Sequence, residues 1–239
     1  MSTAAPSHPA RARLGRWPHE RDIAHLVLLD HQMVPSAQDV AGWIRTATND
    51  GARVIRTGAL FPGSTSAFLA AGFTTIDTLA LLARPVEPHA PPHPRVDPAG
   101  RLRRLRPSML HEAARIDERA FASTWTNDVA ALTDIMSATP HHRSRSVHVD
   151  GRMVAFSISG RADQVGYIQR LAVDPSARRR GFARLLLHDA DRWMRRRDVR
   201  RAMVNTASDN RNALALYEST GFEIQPGELV ILERELRPA

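Results

Sequence analysis

The residues best suited to chemistry lie in one stretch, Leu171-Ala172-Val173-Asp174-Pro175-Ser176-Ala177-Arg178-Arg179-Arg180-Gly181-Phe182-Ala183-Arg184. Arg178, Arg179, Arg180 and Arg184 crowd around Gly181, at the point where an apolar run gives way to helical spacing. The first N–H groups of a helix have no partner within it and carry the positive end of its dipole. A pyrophosphate docks on such groups, and Gly181 with the small Ala183 lets the backbone come close to it. The bland alternative is a solvated arginine run. Positive charge at a helix start opposes the dipole, however, and needs another reason. Arg195, Arg196 and Arg197 differ, because they close the same helix at its C-terminal end, where cations are favoured without any ligand.

Holding that turn requires a strand before it and a helix after it. Residues 167–173 are apolar and β-prone, and Asp174-Pro175-Ser176 ends the strand because proline cannot donate to a ladder. Leu185, His188, Ala190, Trp193 and Met194 then recur near helical spacing. Upstream, Pro107-Ser108 opens a helix to about residue 122 with Leu110, Ala113, Ala114, Ile116 and Phe121 on its apolar side. Thr126-Asn127-Asp128 opens another, through about residue 138, and residues 140–142 read as a loop. Strands at 144–149 and 152–159 flank Asp150-Gly151, a two-residue hairpin signal. A strand at 200–206, a helix from Asn210 and a strand near 229–235 complete the half.

The segment Arg178-x-x-Gly181-x-Ala183 resembles motif A, Q/R-x-x-G-x-G/A, of the GCN5-related N-acetyltransferases, the GNAT superfamily. A second stretch, Asn210-Arg211-Asn212-Ala213-Leu214-Ala215-Leu216-Tyr217-Glu218-Ser219-Thr220-Gly221-Phe222, resembles that family's N-x-x-A-x-x-L-Y-E-x-x-G-F motif. The resemblance covers roughly residues 101–238. It implies an α/β (α+β) GNAT fold, a mixed, mostly antiparallel sheet flanked by helices. It also implies an acyltransferase that uses acetyl-CoA as co-substrate, with no metal. By the same resemblance Arg178, Arg179, Arg180, Gly181, Phe182, Ala183 and Arg184 hold the pyrophosphate. Leu171, Ala172 and Val173 run beside the pantetheine arm, Asn210 contacts that arm, and Tyr217 protonates the departing thiolate or hydrogen-bonds the sulfur. A phenol suits that role because it stays protonated at neutral pH. Read without the family, Leu171 to Val173 are core residues, Asn210 is a helix cap and Tyr217 is a core tyrosine.

The stretch Ile116-Asp117-Glu118-Arg119-Ala120-Phe121 followed by Trp125 resembles ribosomal-protein alanine N-acetyltransferases, so a protein N-terminal amine is the expected acceptor. That group carries a Glu five residues before the motif Asn; here Asn205 stands there and cannot take a proton. Asp163, Glu118, His148 or an ordered water remain as candidate bases. A small-molecule amine acceptor and a non-catalytic CoA-binding regulatory module are the alternatives; the tandem organisation resembles that of mycothiol synthase, whose two units are fuller. Acceptor choice is expected to lie in the loops 123–127 and 139–144.

The N-terminal half repeats the end of the chain. A shift of 149 residues aligns Val54-Ile55 with Met203-Val204, Thr57 with Thr206, Phe68 with Tyr217 and Gly72-Phe73 with Gly221-Phe222. Strands at 23–29, 53–59 and 74–83 alternate with a helix at 37–48, capped by Ser36, and a short helix from Pro62 that closes at Gly72. The expected organisation is a disordered tail at 1–18 and a truncated GNAT-like half-domain at 19–86. A stiff Pro-rich linker at 87–100 follows, then a catalytic GNAT domain at 101–239. The half-domain is expected to bind no cofactor. His31-Gln32-Met33 stands where its anion turn should be, Phe68 replaces the tyrosine, and Phe61-Pro62 replaces the polar cap.

Composition narrows the remaining classes. The 239 residues include no Cys, which excludes disulfides, thiolate metal sites and a Cys nucleophile and fits a cytoplasmic location. No apolar run is long enough for a membrane span, and the first residues lack the apolar core of a secretory signal. All 33 basic residues are Arg and the net charge is +8, which attracts acidic partners. The arginines are scattered without interleaved aromatics, which argues against direct nucleic-acid binding.

Overall fold

Strand β1 (Ala12–Trp17) occupies part of the segment assigned to a tail, and it pairs antiparallel with β2 (Glu20–Leu28). Ala12 and Leu14 alternate with Arg13 and Gly15 and pack on a buried core, and Trp17 is buried against the ring of His25. The arginines between them hide this period of two. The computed structural model describes residues 10–29, 34–87, 89 and 93–236. The remainder of the tail, residues 30–33 with the expected missing anion turn, and part of the Pro-rich linker lie outside the described residues.

The elements that follow are α1 (Ala37–Asn49), β3 (Val54–Thr57), α2 (Ser66–Ala70), β4 (Thr74–Pro85), β5 (Arg101–Arg104), α3 (Leu110–Ala120) and α4 (Val129–Ser137). Then come β6 (His141–Val149), β7 (Arg152–Ala162), β8 (Val165–Val173), α5 (Phe182–Arg195), β9 (Arg201–Ala207), α6 (Arg211–Glu218), β10 (Glu223–Ile224) and β11 (Leu229–Glu235). Local signals place most boundaries. Ser36 caps α1 through a capping box with Asp39. Asp128 and Asn210 cap α4 and α6 through their side chains. Asp150 and Gly151 both take positive φ in the β6–β7 turn. His141 and His142, assigned to a loop, belong to β6, because β7 runs on to Ala162 and pairs with them through Arg161 and Gly160.

The chain divides into two compact units, and their boundary is not the one expected at residues 87–100. The first unit takes the described residues up to Leu81, Thr206–Asp209 and the chain from Gln225. The second takes Leu82–Asn205 and Asn210–Ile224. In the first, β2 and β3 run parallel, and β11 lies between β3 and β4, antiparallel to both. The last strand, expected to finish the catalytic half, is therefore a central strand of the first unit. Arg56 on β3 fixes its register by donating to Glu233 at 2.7 Å, and Thr57 Oγ1 accepts from the Leu232 amide at 2.9 Å. In the second unit β5, β6, β7 and β8 form an antiparallel series, and β9 joins β8 in parallel. The end of β4 pairs there with β10.

The two Gly-Phe turns share their backbone detail. Gly72 and Gly221 take φ of 82° and 85°, a left-handed turn that ends α2 and α6. The Phe73 amide donates to Phe68 O at 3.1 Å and the Phe222 amide to Tyr217 O at 3.1 Å. Each turn brings an edge-on ring pair together, Phe68 with Phe73 at 5.2 Å and Tyr217 with Phe222 at 5.7 Å.

Candidate active site

The site grows from an irregularity in β8. Gln169 is an extra residue between the pairs Ser159↔Ile168 and Ile158↔Arg170. A bulge of this kind bends its strand and raises the local twist. On the other edge, pairing with β9 stops at Ile168↔Val204. Gln169, Arg170, Leu171, Ala172 and Val173 thus have β7 on one edge and, among the described residues, no paired strand on the other. Gln169 Oε1 is buried there without a partner among the described residues.

Past Val173 the chain enters the arginine turn. Asp174 accepts from the Ser176 amide, one 3-10 turn covers Pro175–Ala177, and Arg178 is extended. Arg179 and Gly181 then take φ of 64° and 83° before α5 begins at Phe182. Arg179 to Arg184 donate no backbone hydrogen bond among the described residues; the first such donor in α5 is Leu185, to Gly181 O at 3.0 Å. Free N–H groups in left-handed turns at a helix start can receive an anion.

The side chains around it do less for an anion than their sequence suggests. Arg178 donates to Ala120 O at the end of α3, Arg180 pairs with Asp97 and lies over Phe182, and Arg184 bonds Ser219 Oγ. Gly181 also has a different duty from the one expected. A Cβ on it would meet Arg95 O at 2.4 Å and Val96 Cα at 3.1 Å, so it makes room for the chain's own segment 95–97. The Asp97 amide bonds Arg180 O at 3.1 Å in the same contact.

Tyr217 is buried on α6. Burial pushes its pKa up to about 12, against a smaller opposite effect of Arg170, so it stays a proton donor across the neutral range. Asn210 accepts from the Ala213 amide at 3.1 Å and so serves as the α6 cap.

Sequence reading misses a charged cluster nearby. Asp117 is fully buried and receives both Nε and Nη2 of Arg170, at 2.7 and 2.6 Å. It also accepts from the Asn127 amide at 2.7 Å. Arg170 donates further to Trp125 O at 2.8 Å and lies 3.5 Å over the ring of Phe121. One buried pair thereby ties the loop 121–127 to the bulged strand. A signal exists: Asp117 stands four residues after Ala113, on the apolar stripe of α3, where a carboxylate needs a buried partner.

Of the candidate bases, Asp163 sits in the β7–β8 turn, roughly 26 Å along the strand from Leu171 at the usual rise per residue. His148 is buried on β6, held by Ser146 Oγ at 3.1 Å, with β7 between it and β8. Glu118 is exposed on α3. No group of three or more His, Asp or Glu gathers among the described residues in a way that could hold a metal, and no helix among them is long and apolar enough to cross a membrane.

Residues 110–222 match the profile of the acetyltransferase (GNAT) family. Over 113 residues the chain is 31% identical to the [ribosomal protein bS18]-alanine N-acetyltransferase of Salmonella typhimurium, covering 47% of this chain and 74% of that protein. The chain belongs to the GNAT acetyltransferase family. As a GNAT protein it is an acyltransferase. It is also 29% identical over 177 residues to a mycothiol acetyltransferase of Thermomonospora curvata, spanning 71% of this chain and 59% of that one. Among solved structures, a tandem GNAT protein from the clavulanic acid biosynthesis pathway superposes with a TM-score of 0.68 at 15% identity, over 95% of this chain and 79% of that one. This likeness places the chain in the same fold.

Proposed function

We propose that the second unit transfers an acetyl group from acetyl-CoA directly to an amine, and that the amine is a protein N-terminus. One observation carries the reading: the free N–H groups of Arg179 to Arg184 lie at the end of a strand whose other edge is open. That arrangement fits a pyrophosphate followed by an extended amide-bearing arm. Arg179, Arg180, Phe182, Ala183 and Arg184 donate from the backbone to the pyrophosphate, with Gly181 setting the turn. Leu171, Ala172 and Val173 offer their open strand edge to the arm. Acetyl-CoA supplies the activated acyl group. Tyr217 gives its proton to the departing sulfur, and the burial that keeps its phenol protonated supports that role. Asn210 holds the helix that carries Tyr217 rather than the cofactor.

No carboxylate stands at a base position, so the acceptor amine reaches the site neutral or loses its proton through water held by groups such as Gln169. The α-amino group, with an ordinary pKa near 8, is partly neutral at physiological pH and suits that constraint better than a lysine side chain. Similarity to the bS18-alanine enzyme favours this acceptor, although it spans only the catalytic half. A small-molecule amine is the second reading, because the mycothiol acetyltransferase likeness runs through a longer part of the chain.

Acetyl-CoA turnover against a panel of N-terminal peptides and small amines tests both readings. Thiol release that depends on an N-terminal peptide supports the first. Turnover confined to small amines replaces it with the second. Tyr217→Phe is expected to lower turnover by about 10²- to 10⁴-fold with little change in acetyl-CoA affinity. Near-native turnover in that variant would return Tyr217 to the core.

A further inference from the structure

A second cationic concavity lies at the far end of α5. It has a volume of about 380 Å³, and Arg143 and Arg145 from β6 meet Arg192 from α5 and Arg196 and Arg197 just past its end around Asp189. Its floor is the side chains of Leu102 and Trp193. At the usual helical rise it stands roughly 15–20 Å along α5 from the free N–H groups at its start.

The charges do not balance. Asp189 receives two bonds from Arg143, at 2.6 and 2.9 Å, and two from Arg145, at 3.2 and 3.3 Å, so one carboxylate serves two guanidinium groups. Among the described residues no carboxylate pairs with Arg192, Arg196 or Arg197. Arg104 on β5 stands directly opposite Arg145 on the same sheet face, a like-charge pair that weakens a ladder. The dipole of α5 explains cations in its own last turn. It does not explain Arg143 and Arg145, sent to the same place from β6. A concave site lined by one sign of charge concentrates counter-ions, and guanidinium forks match phosphate oxygens two at a time.

We propose that this concavity binds a small polyphosphate anion, of the inorganic polyphosphate or nucleoside di- or triphosphate class. Its volume lies within the range of small-ligand sites. It lacks the row of stacked aromatics that a single-stranded nucleic acid uses, which favours a compact anion over a polymer.

The test is calorimetric titration of the full-length protein with inorganic tripolyphosphate, alone and with saturating CoA, at fixed ionic strength. The expected result is one site per chain that persists when CoA is present. Arg192→Ala combined with Arg196→Ala should weaken it at least tenfold while acetyl-CoA turnover is unchanged. If CoA itself does not bind, the double variant alone still assigns the site, so failure of the catalytic reading is told apart from failure of this one. No binding, binding that CoA abolishes, or binding indifferent to the double variant would overturn the proposal. Tighter binding of a single-stranded RNA through the same arginines would overturn the choice of ligand.

Discussion

Replacing Gly181 with alanine separates what the turn does for the fold from what it does for a ligand. The new Cβ would lie 2.4 Å from Arg95 O, 3.1 Å from Val96 Cα and 3.3 Å from Arg95 C. All three atoms are backbone, so no side chain can rotate away, and segment 95–97 must move by about an ångström. Overpacking of this kind costs about 1–3 kcal/mol. The φ of 83° adds strain, about 1–2 kcal/mol for a residue with a Cβ in the left-handed region. The Arg180–Asp97 pair is about one-third exposed, so solvent screens it and it adds little. The total is about 2–5 kcal/mol, read by urea unfolding. Gly221→Ala is the control, because it shares the φ, at 85°, but meets only Arg84 Cδ at 3.9 Å. It should lose only the strain, about 1–2 kcal/mol. Equal losses at the two positions, or a Gly181→Ala variant within about 0.5 kcal/mol of the wild type, would refute the packing argument. Any loss of acetyl-CoA affinity would then have to come from the ligand side of the turn.

Further outcomes follow from other contacts. Arg170→Met leaves the buried Asp117 carboxylate without its ion partner and should cost about 3–5 kcal/mol in urea unfolding; the double variant with Asp117→Leu should recover part of that loss. Arg179→Gly removes left-handed strain and should gain about 1 kcal/mol; a loss would show that the guanidinium has a partner in solution. Burial pushes the Asp189 carboxyl up, but the bonds from Arg143 and Arg145 outweigh it and leave it below its ordinary 3.8. Its contribution is therefore full at neutral pH and is lost as pH falls from about 4 through that lower value. Asp189→Asn should lack this part of the acid-unfolding slope.

The arginine turn and the Tyr217 helix were legible as local structure because each depends on local backbone demands. Gly181 must be left-handed, Asn210 must cap, and Gly221 must end the helix. The ends of α2 and α6 were legible for the same reason, since Gly72-Phe73 and Gly221-Phe222 close the two helices with the same hydrogen bonds. What escaped was long-range. Arg170 and Asp117 are 53 positions apart and meet only through tertiary packing. The arginines of the turn looked like ligands, yet three of them end on Ala120, Asp97 and Ser219, partners far away in sequence. Strand β11 fits either half by its alternation alone. Its place between β3 and β4 is set by pairings such as Arg56 with Glu233, 177 positions apart.

That position of β11 bears on how the protein can be made. A ribosome releases about 5–20 residues per second, so β3 and β4 leave it many seconds before β11 (Leu229–Glu235) exists. During that interval, on the order of ten to thirty seconds, the unpaired backbone edges of β3 and β4 that β11 will cover stand open to other chains. The antiparallel series from β5 to β8 has all its partners earlier and needs only contacts between successive strands. The unit that begins the chain is thus the one that closes last, and premature termination of translation harms it first.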